Sequence, residues 1–219
     1  MIKNIIFDFD GVLVDSEMLV ARSFSRYLSK RNINFTEQEF SVYAGKKTVQ
    51  VIDELSKKFS IQNKEEFFED IMSIANDIYS QELTAVNGAK VFLEQNYYNF
   101  LIGSNSVRKR ILFGLEKVEF ENFFDFNKVF SFDMVEKPKP QPDIYLAAIK
   151  AHQLDKNETV VIEDSAIGVQ AGVAAGVKVI GLTAGGHWYA DRSTKELLDA
   201  GAVVLANSYD ALLKEIKKL

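Results

Sequence analysis

Two aspartates, Asp8 and Asp10, close an apolar stretch reading Ile5-Ile6-Phe7 and are followed by Gly11. An unpaired charge at the end of a core strand is costly, so acids in this place are either solvated in a surface turn or paired with a partner. A spacing of two puts both carboxylates on one side of the chain if extended geometry persists. Gly11 lets the backbone turn sharply around whatever they hold. Three further segments carry residues capable of chemistry: Ser104-Asn105, Glu163-Asp164, and the lysine-proline stretch Lys137-Pro138-Lys139-Pro140-Gln141-Pro142-Asp143. Gathered together, Asp8, Asp10, Glu163 and Asp164 make four carboxylates, beside the Ser104 hydroxyl and one lysine ammonium. Two carboxylates ~4 Å apart repel by about 4 kcal/mol at an effective dielectric near 20, so such a cluster persists only with a cation. Its donors are oxygens, with no cysteine in the chain and no paired histidines, which selects a hard ion such as magnesium over zinc. The lysine and the Ser104 hydroxyl would add donors for an anion sharing the ion's shell. An aspartate nucleophile among positioned cations is what phosphoryl transfer through an aspartyl-phosphate requires.

The elements that must bring these groups together can be read from periodicity. Ile5–Phe7 reads as a buried strand. From Asp15 the pattern turns helical: Val20, Phe24, Tyr27 and Leu28 recur at helical spacing. Thr36 with Glu39 fits a capping box for a short helix, and Asn63 with Glu66 opens a longer one bearing Phe67, Ile71, Ile74 and Ile78. Val51, Ile52, Leu55 and Phe59 mark another apolar face. Residues 15–85 are therefore expected to be a small helical unit inserted after the first strand, within a core made of 1–14 and 86–219. From residue 86 strands alternate with helices: Phe100–Ser104, Lys128–Ser131, Thr159–Ile162, Val177–Leu182 and a weaker Ala202–Leu205. Ser106 is expected to cap the helix that carries Ile111, Leu112, Leu115 and Val118, and Pro142 to be the first residue of the helix holding Ile144. Such alternation predicts a Rossmann-like α/β fold with a parallel sheet covered on both faces. Right-handed crossovers then carry the strand C-termini, and with them Asp8, Ser104 and Glu163-Asp164, to one ligand-binding edge. The chain's prolines, Pro138, Pro140 and Pro142, stiffen the segment that would hold a lysine there; spacing alone does not separate Lys139 from Lys137.

Composition narrows the partners. In 219 residues, a hydrophobic fraction of 47% supports a sizeable core, and a net charge of −5 argues against nucleic acid or an anionic membrane. Without cysteine there is no disulfide, thiol catalysis or cysteine zinc site. No window approaches ~18 uninterrupted apolar residues and no basic, apolar leader opens the chain, so a cytoplasmic protein is expected, with a monomer as the default.

The motifs taken together resemble the haloacid dehalogenase superfamily, in its helical-cap branch of β-phosphoglucomutases and sugar-phosphate phosphatases. Asp8-Phe9-Asp10-Gly11-Val12-Leu13-Val14-Asp15-Ser16-Glu17 is similar to the first motif and Ser104-Asn105-Ser106 to the second. Lys139-Pro140-Gln141-Pro142-Asp143 resembles the third, and Glu163-Asp164-Ser165 with Gly168 and Gly172 the fourth. The resemblance selects Lys139. It implies that Asp8 attacks phosphorus and that Asp10 protonates the leaving oxygen and then activates water. It also implies magnesium on Asp8, the Asp10 carbonyl and Asp164, with Glu163 acting directly or through water. Ser104, Lys139 and backbone N–H groups near Gly11 and Asn105 would bind the phosphate. The helical insert would be a cap that excludes water and chooses substrates. Within it, Tyr43-Ala44-Gly45-Lys46-Lys47-Thr48 is similar to the family's substrate-specificity loop: Gly45 would permit close approach, and Lys46 or Lys47 would meet an anionic group.

The implied activity is hydrolysis of a small phosphorylated metabolite, a sugar or sugar-acid phosphate such as 6-phosphogluconate. A phosphomutase is the nearest alternative. The β-phosphoglucomutase pattern has an arginine where Thr48 stands and a lysine where Gln81 stands, although Val12 suits a mutase. Dehalogenases would not need Asp10 or the Glu163-Asp164 pair. A receiver-like phosphoacceptor would place its lysine last and have no use for a cap, and a non-catalytic binding protein would not keep all four motifs. His187, in Gly185-Gly186-His187-Trp188-Tyr189, is expected to border the crevice at most. Asp133 and Asp143 are read as capping groups or as groups behind the site, and Asp15 as support for the hinge.

Overall fold

The computed structural model describes residues 1–43, 48–188 and 192–219. They form two compact units, Met1–Asp15 with Thr84–Leu219, and Ser16–Leu83. The first strand is β1, Asn4–Phe7, and among the described residues the second unit then holds the α-helices α1 Glu17–Ser29, α2 Glu37–Phe40, α3 Thr48–Phe59 and α4 Lys64–Glu82. Both predicted N-terminal signals form. Thr36 N–H donates to Glu39 Oε2 at 2.7 Å while Glu39 N–H donates to Thr36 Oγ1 at 3.2 Å, and Asn63 Oδ1 accepts from Glu66 N–H at 3.2 Å. The apolar stripes meet in an aromatic core, where Phe67 of α4 stacks on Tyr27 of α1 at 4.2 Å and meets Phe24 edge-on at 5.9 Å.

The first unit alternates as its sequence pattern dictates. It holds α5 Ala89–Gln95, β2 Asn99–Ser104, α6 Arg108–Lys117, β3 Val129–Ser131, α7 Asp143–Ala151, β4 Thr159–Glu163, α8 Ala166–Ala174, β5 Lys178–Leu182, α9 Lys195–Asp199, β6 Val204–Ala206 and α10 Tyr209–Ile216. Among the described residues the sheet has the order β3-β2-β1-β4-β5-β6, with every neighbouring pair parallel. Strands buried on both faces read as continuous apolar runs, and those faces can be assigned residue by residue. Phe7 points to an aromatic cluster with Phe92, Phe100 and Phe124. Ile6 joins Leu101, Ile144, Val161 and Val169 on the opposite side.

The strand order reverses at β1, which pairs with both β2 and β4, and ligands of open α/β sheets bind at such a switch point. Phe7 lies level with Ile102 and Ile162, so the residues that follow all three strands emerge at one height. Departure and return of the chain are fastened side by side: Asp15 N–H donates to Thr84 O, and Val86 N–H to Leu13 O. No described helix is long and apolar enough to cross a membrane.

Two local expectations are corrected. Ser106 does not cap α6; Val107 occupies the N-cap, and the Asp133 carboxylate accepts from Arg108 N–H at 3.1 Å in place of a local hydroxyl. Pro142 is the N-cap of α7, which begins one residue later at Asp143. A proline has no N–H to lose there, so the shift changes little.

Truncation of Phe7 to alanine removes the centre of the aromatic cluster beneath the site. It is expected to cost about 3–5 kcal/mol in urea unfolding followed by the fluorescence of Trp188, the single tryptophan. A loss below ~1 kcal/mol would contradict this packing.

Candidate active site

β1 ends at Phe7, so Asp8 and Asp10 lie past the strand and extended geometry does not persist between them. Their carboxylates consequently find different partners. Asp8 Oδ1 accepts from Lys139 Nζ at 2.6 Å. Asp10 Oδ2 accepts from Ser106 Oγ at 2.5 Å, and its Oδ1 lies 3.5 Å from Arg110 Nη2. The same Lys139 ammonium donates to Glu163 Oε1, also at 2.6 Å. Lys139 and Asp8 are almost fully buried and Glu163 completely so. The lysine's backbone is fixed as firmly as its head. Asn105 Oδ1 accepts from Lys139 N–H at 2.9 Å while Asn105 Nδ2 donates to Lys139 O at 3.2 Å.

Glu163 is held by five donors. Its Oε1 accepts from Lys139 Nζ and, at 2.8 Å, from Tyr145 OH; its Oε2 accepts from Asp164 N–H, Ser165 N–H and Ser165 Oγ at 3.0–3.1 Å. These donors already exceed the roughly four lone-pair sites of a carboxylate. Tyr145 reaches it because Gly103 leaves room; a Cβ at 103 would stand 2.9 Å from the ring. Gly168 does the same for the carboxylate itself, since a Cβ there would fall 1.7 Å from Glu163 Oε1. The glycine recurrence in α8 thus serves the site at Gly168 and sheet packing at Gly172, where a Cβ would meet Val179 at 2.6 Å.

Burial pushes the Asp8 carboxyl well above the usual carboxylate range, the Glu163 and Asp164 charges push the same way, and Lys139 opposes them. Burial pulls the Lys139 ammonium down, but the carboxylates of Asp8 and Glu163 outweigh it and hold the group above the ordinary lysine range. Tyr145 is pushed up strongly, first by burial and then by Glu163, so it stays a donor. The Lys139 ammonium faces Asp8 and Glu163, while Asp8, Glu163 and Asp164 each offer an oxygen within 4.8 Å of the others. Buried oxygen donors with charge in excess of the lysine fit a small divalent cation. The Asp10 carboxylate is not part of that triad among the described residues.

The other expected residues divide. Ser104, buried at the end of β2, accepts from Ser106 N–H at 3.0 Å through its Oγ. Gly11 has φ +78°, and its own N–H is committed to Val14 O at 2.7 Å. Its place is explained instead by space, because a Cβ would lie 1.9 Å from Asp164 Oδ2. Tyr209 OH braces the same turn by donating to Val12 O at 2.7 Å. Gly45, Lys46 and Lys47 lie outside the described residues. Tyr145, Arg110, the Asn105 clamp and the contact of His187 Nε2 with Asp164 Oδ2 at 3.1 Å were not legible from strand ends alone. Tyr145 stands two residues beyond Asp143 on a helix, and no spacing rule aims it at Glu163.

The match to a family model spans residues 5–182 and carries the description haloacid dehalogenase-like hydrolase. A phosphorylated carbohydrates phosphatase of Thermotoga maritima is 29% identical over 98% of this chain and 99% of its own length. A 6-phosphogluconate phosphatase of Escherichia coli K12 is 26% identical over 85% of each chain. Among solved structures, a haloacid dehalogenase-like protein of unknown function from Agrobacterium tumefaciens superimposes with a TM-score of 0.88 at 28% identity, covering 100% of this chain and 99% of that one.

Replacing Lys139 by methionine leaves the buried acids without their internal cation. In metal-free buffer at pH 7 this is expected to cost about 3–5 kcal/mol of stability. A raised carboxyl pKa in the folded state means stability that is present at low pH and lost as pH rises through the folded value. Removing the lysine raises Asp8 further, so the deficit should narrow as pH falls toward 4. A deficit independent of pH would contradict the charge balance drawn here. From the four gathered motifs, the parallel sheet and the family match, the chain belongs to the haloacid dehalogenase-like hydrolases.

Proposed function

We propose that this chain is a magnesium-dependent phosphatase that hydrolyses a small phosphorylated metabolite, a sugar or sugar-acid phosphate, through an aspartyl-phosphate on Asp8. The observation that carries the reading is the Lys139 ammonium, 2.6 Å from both Asp8 and Glu163. It holds the nucleophile in place and is aimed where a phosphate oxygen would sit.

In the proposed sequence an Asp8 oxygen attacks phosphorus and the phosphorus–ester oxygen bond breaks. Asp10 passes its proton to the departing alcohol oxygen. Asp10 then accepts a proton from water as that water attacks the phosphoryl group, which releases phosphate and restores Asp8. Lys139 and Ser104 donate to the equatorial oxygens throughout, where charge is spread in the transition state. Asp8, Asp164 and the Asp10 carbonyl would hold magnesium, which when bound supplies positive charge against the phosphate oxygens and keeps Asp8 ionised. Glu163, its lone pairs engaged by five donors, acts on that site through Lys139 and through its own charge. Ser106 and Arg110 orient the Asp10 carboxylate.

The substrate class is supported by the relatives, one a phosphatase of phosphorylated carbohydrates and one of 6-phosphogluconate, and 6-phosphogluconate is the first substrate to test. Substrate choice is assigned to the helical unit, including residues 45–47. The remainder of the proposal is a monomeric, cytoplasmic enzyme acting on small molecules, without nucleic acid or membrane partners.

Purified protein should hydrolyse p-nitrophenyl phosphate only with added magnesium, and chelation should abolish turnover. Asp8→Asn should lower kcat by at least ~10³-fold, as expected for loss of a nucleophile, with an unchanged circular dichroism spectrum. A panel of phosphorylated sugars and sugar acids, with β-glucose 1-phosphate included to detect isomerisation, then ranks substrates by kcat/KM. Turnover without a divalent ion, or an unimpaired Asp8→Asn, would overturn the assignment.

A further inference from the structure

The loop after β5 carries the one imidazole that meets the acidic triad among the described residues. His187 is 7% exposed, and its Nε2 lies 3.1 Å from Asp164 Oδ2. Loops normally run over the surface and keep polar groups in water, so a buried histidine at this place needs a reason. The backbone on both sides has been cleared for its ring. A Cβ on Gly11 would stand 2.9 Å from His187 Cε1, and a Cβ on Gly185 would stand 2.9 Å from both Cε1 and Nδ1 and 2.7 Å from Gly11 O. Two neighbouring turns therefore touch backbone to backbone, and the imidazole fills the space that their glycines leave.

The loop is fastened beyond that contact. Gly186 N–H donates to both oxygens of Asp15, at 3.1 and 3.2 Å, and Trp188 N–H donates to Gly185 O at 3.1 Å. Arg192 lies over the Trp188 ring at 3.9 Å and reaches His187 O at 3.5 Å. Asp15, Gly186 and Arg192 thus hold the loop backbone on either side of the ring.

We propose that His187 is a positioning residue for the cation site: its Nε2–H donates to Asp164 Oδ2 and fixes the rotation of that carboxylate, so that its other oxygen faces the ion. The neutral imidazole is enough, because one ring nitrogen carries a proton in either tautomer. The donated bond fixes that tautomer with the proton on Nε2. Groups that hold a metal-ligating carboxylate from behind typically contribute a factor of about 10–100 in metal affinity. This inference rests on the proposed reading of Asp8 and Asp164 as cation ligands.

The test is calorimetric titration of manganese and magnesium chloride into the full chain without substrate, for the wild type and for three variants at His187. Glutamine presents an amide N–H near the position of Nε2, asparagine only near that of Nδ1, and alanine nothing. His187→Ala and His187→Asn should weaken binding by about 10–100-fold, while His187→Gln should restore most of it. Metal-free thermal midpoints, recorded alongside, identify any variant that is merely unfolded. Should the alanine variant fail to fold, the contrast between glutamine and asparagine decides. Equal dissociation constants for wild type and His187→Ala, or for His187→Gln and His187→Asn, would overturn the role given to His187 while leaving the active-site reading intact. Absence of cation binding to the wild type would instead overturn that reading and this inference together.

Discussion

The Lys139 ammonium, bonded at 2.6 Å to both Asp8 and Glu163, is the interaction on which the rest of the site depends. A buried ammonium and buried carboxylates are each costly alone, and here the one offsets part of the cost of the others. The geometry behind this is correspondingly overdetermined. Asn105 holds the lysine's backbone from both sides, and Tyr145 and the Ser165 hydroxyl complete the shell of Glu163. The start of α8 adds its own pull. Ser165 accepts from Gly168 N–H there while donating to Glu163, and a helix N-terminus favours negative charge.

The fold explains why residues more than a hundred positions apart can be held to such tolerances. β1 lies between β2 and β4, each strand delivers one polar segment past its last apolar residue, and the common register sets them level. Glycines do the fine fitting. Gly11, Gly103 and Gly168 stand where a side chain would overlap Asp164, Tyr145 or Glu163. Substitution at these positions would damage the site through volume and, at Gly11 with its φ of +78°, through backbone strain as well. An internal cation that only partly balances three acids also bears on the proposed activity, which asks one site to take both a metal ion and a phosphate. In that proposal the excess negative charge would favour the ion, and the third N–H of Lys139, beyond those given to Asp8 and Glu163, would be left for the anion.

Much of this was legible in the sequence, for reasons that can be named. Strand ends announce themselves when an apolar run such as Thr159–Ile162 stops at Glu163-Asp164, and periodicity separated the helical residues 15–85 from the alternating remainder. Capping signals with reciprocal partners, Thr36 with Glu39 and Asn63 with Glu66, were reliable because both halves lie within one turn. Ser106 failed as a cap because its hydroxyl found Asp10 and a remote carboxylate, Asp133, took the amide it would have served. Long-range pairings of this kind leave no local trace. The same holds for Tyr145 and His187, whose roles depend on which helix or loop the topology lays against the acids. The glycine of the first motif was legible as a turn residue, but its crowding by Asp164 was not, since that contact joins segments some 150 residues apart.

The central claim is that Asp8 is the phosphoryl acceptor within a cation-balanced cluster. It is tested most directly by a crystal structure grown with magnesium, beryllium and fluoride, because trifluoroberyllate mimics a phosphoryl group on an aspartate. The account predicts beryllium bonded to an Asp8 oxygen, magnesium between that adduct and Asp164, and Lys139 Nζ turned onto a fluorine. An adduct on Asp10 or on any other acid, or magnesium bound with Asp8 bare under saturating beryllium fluoride, would contradict it.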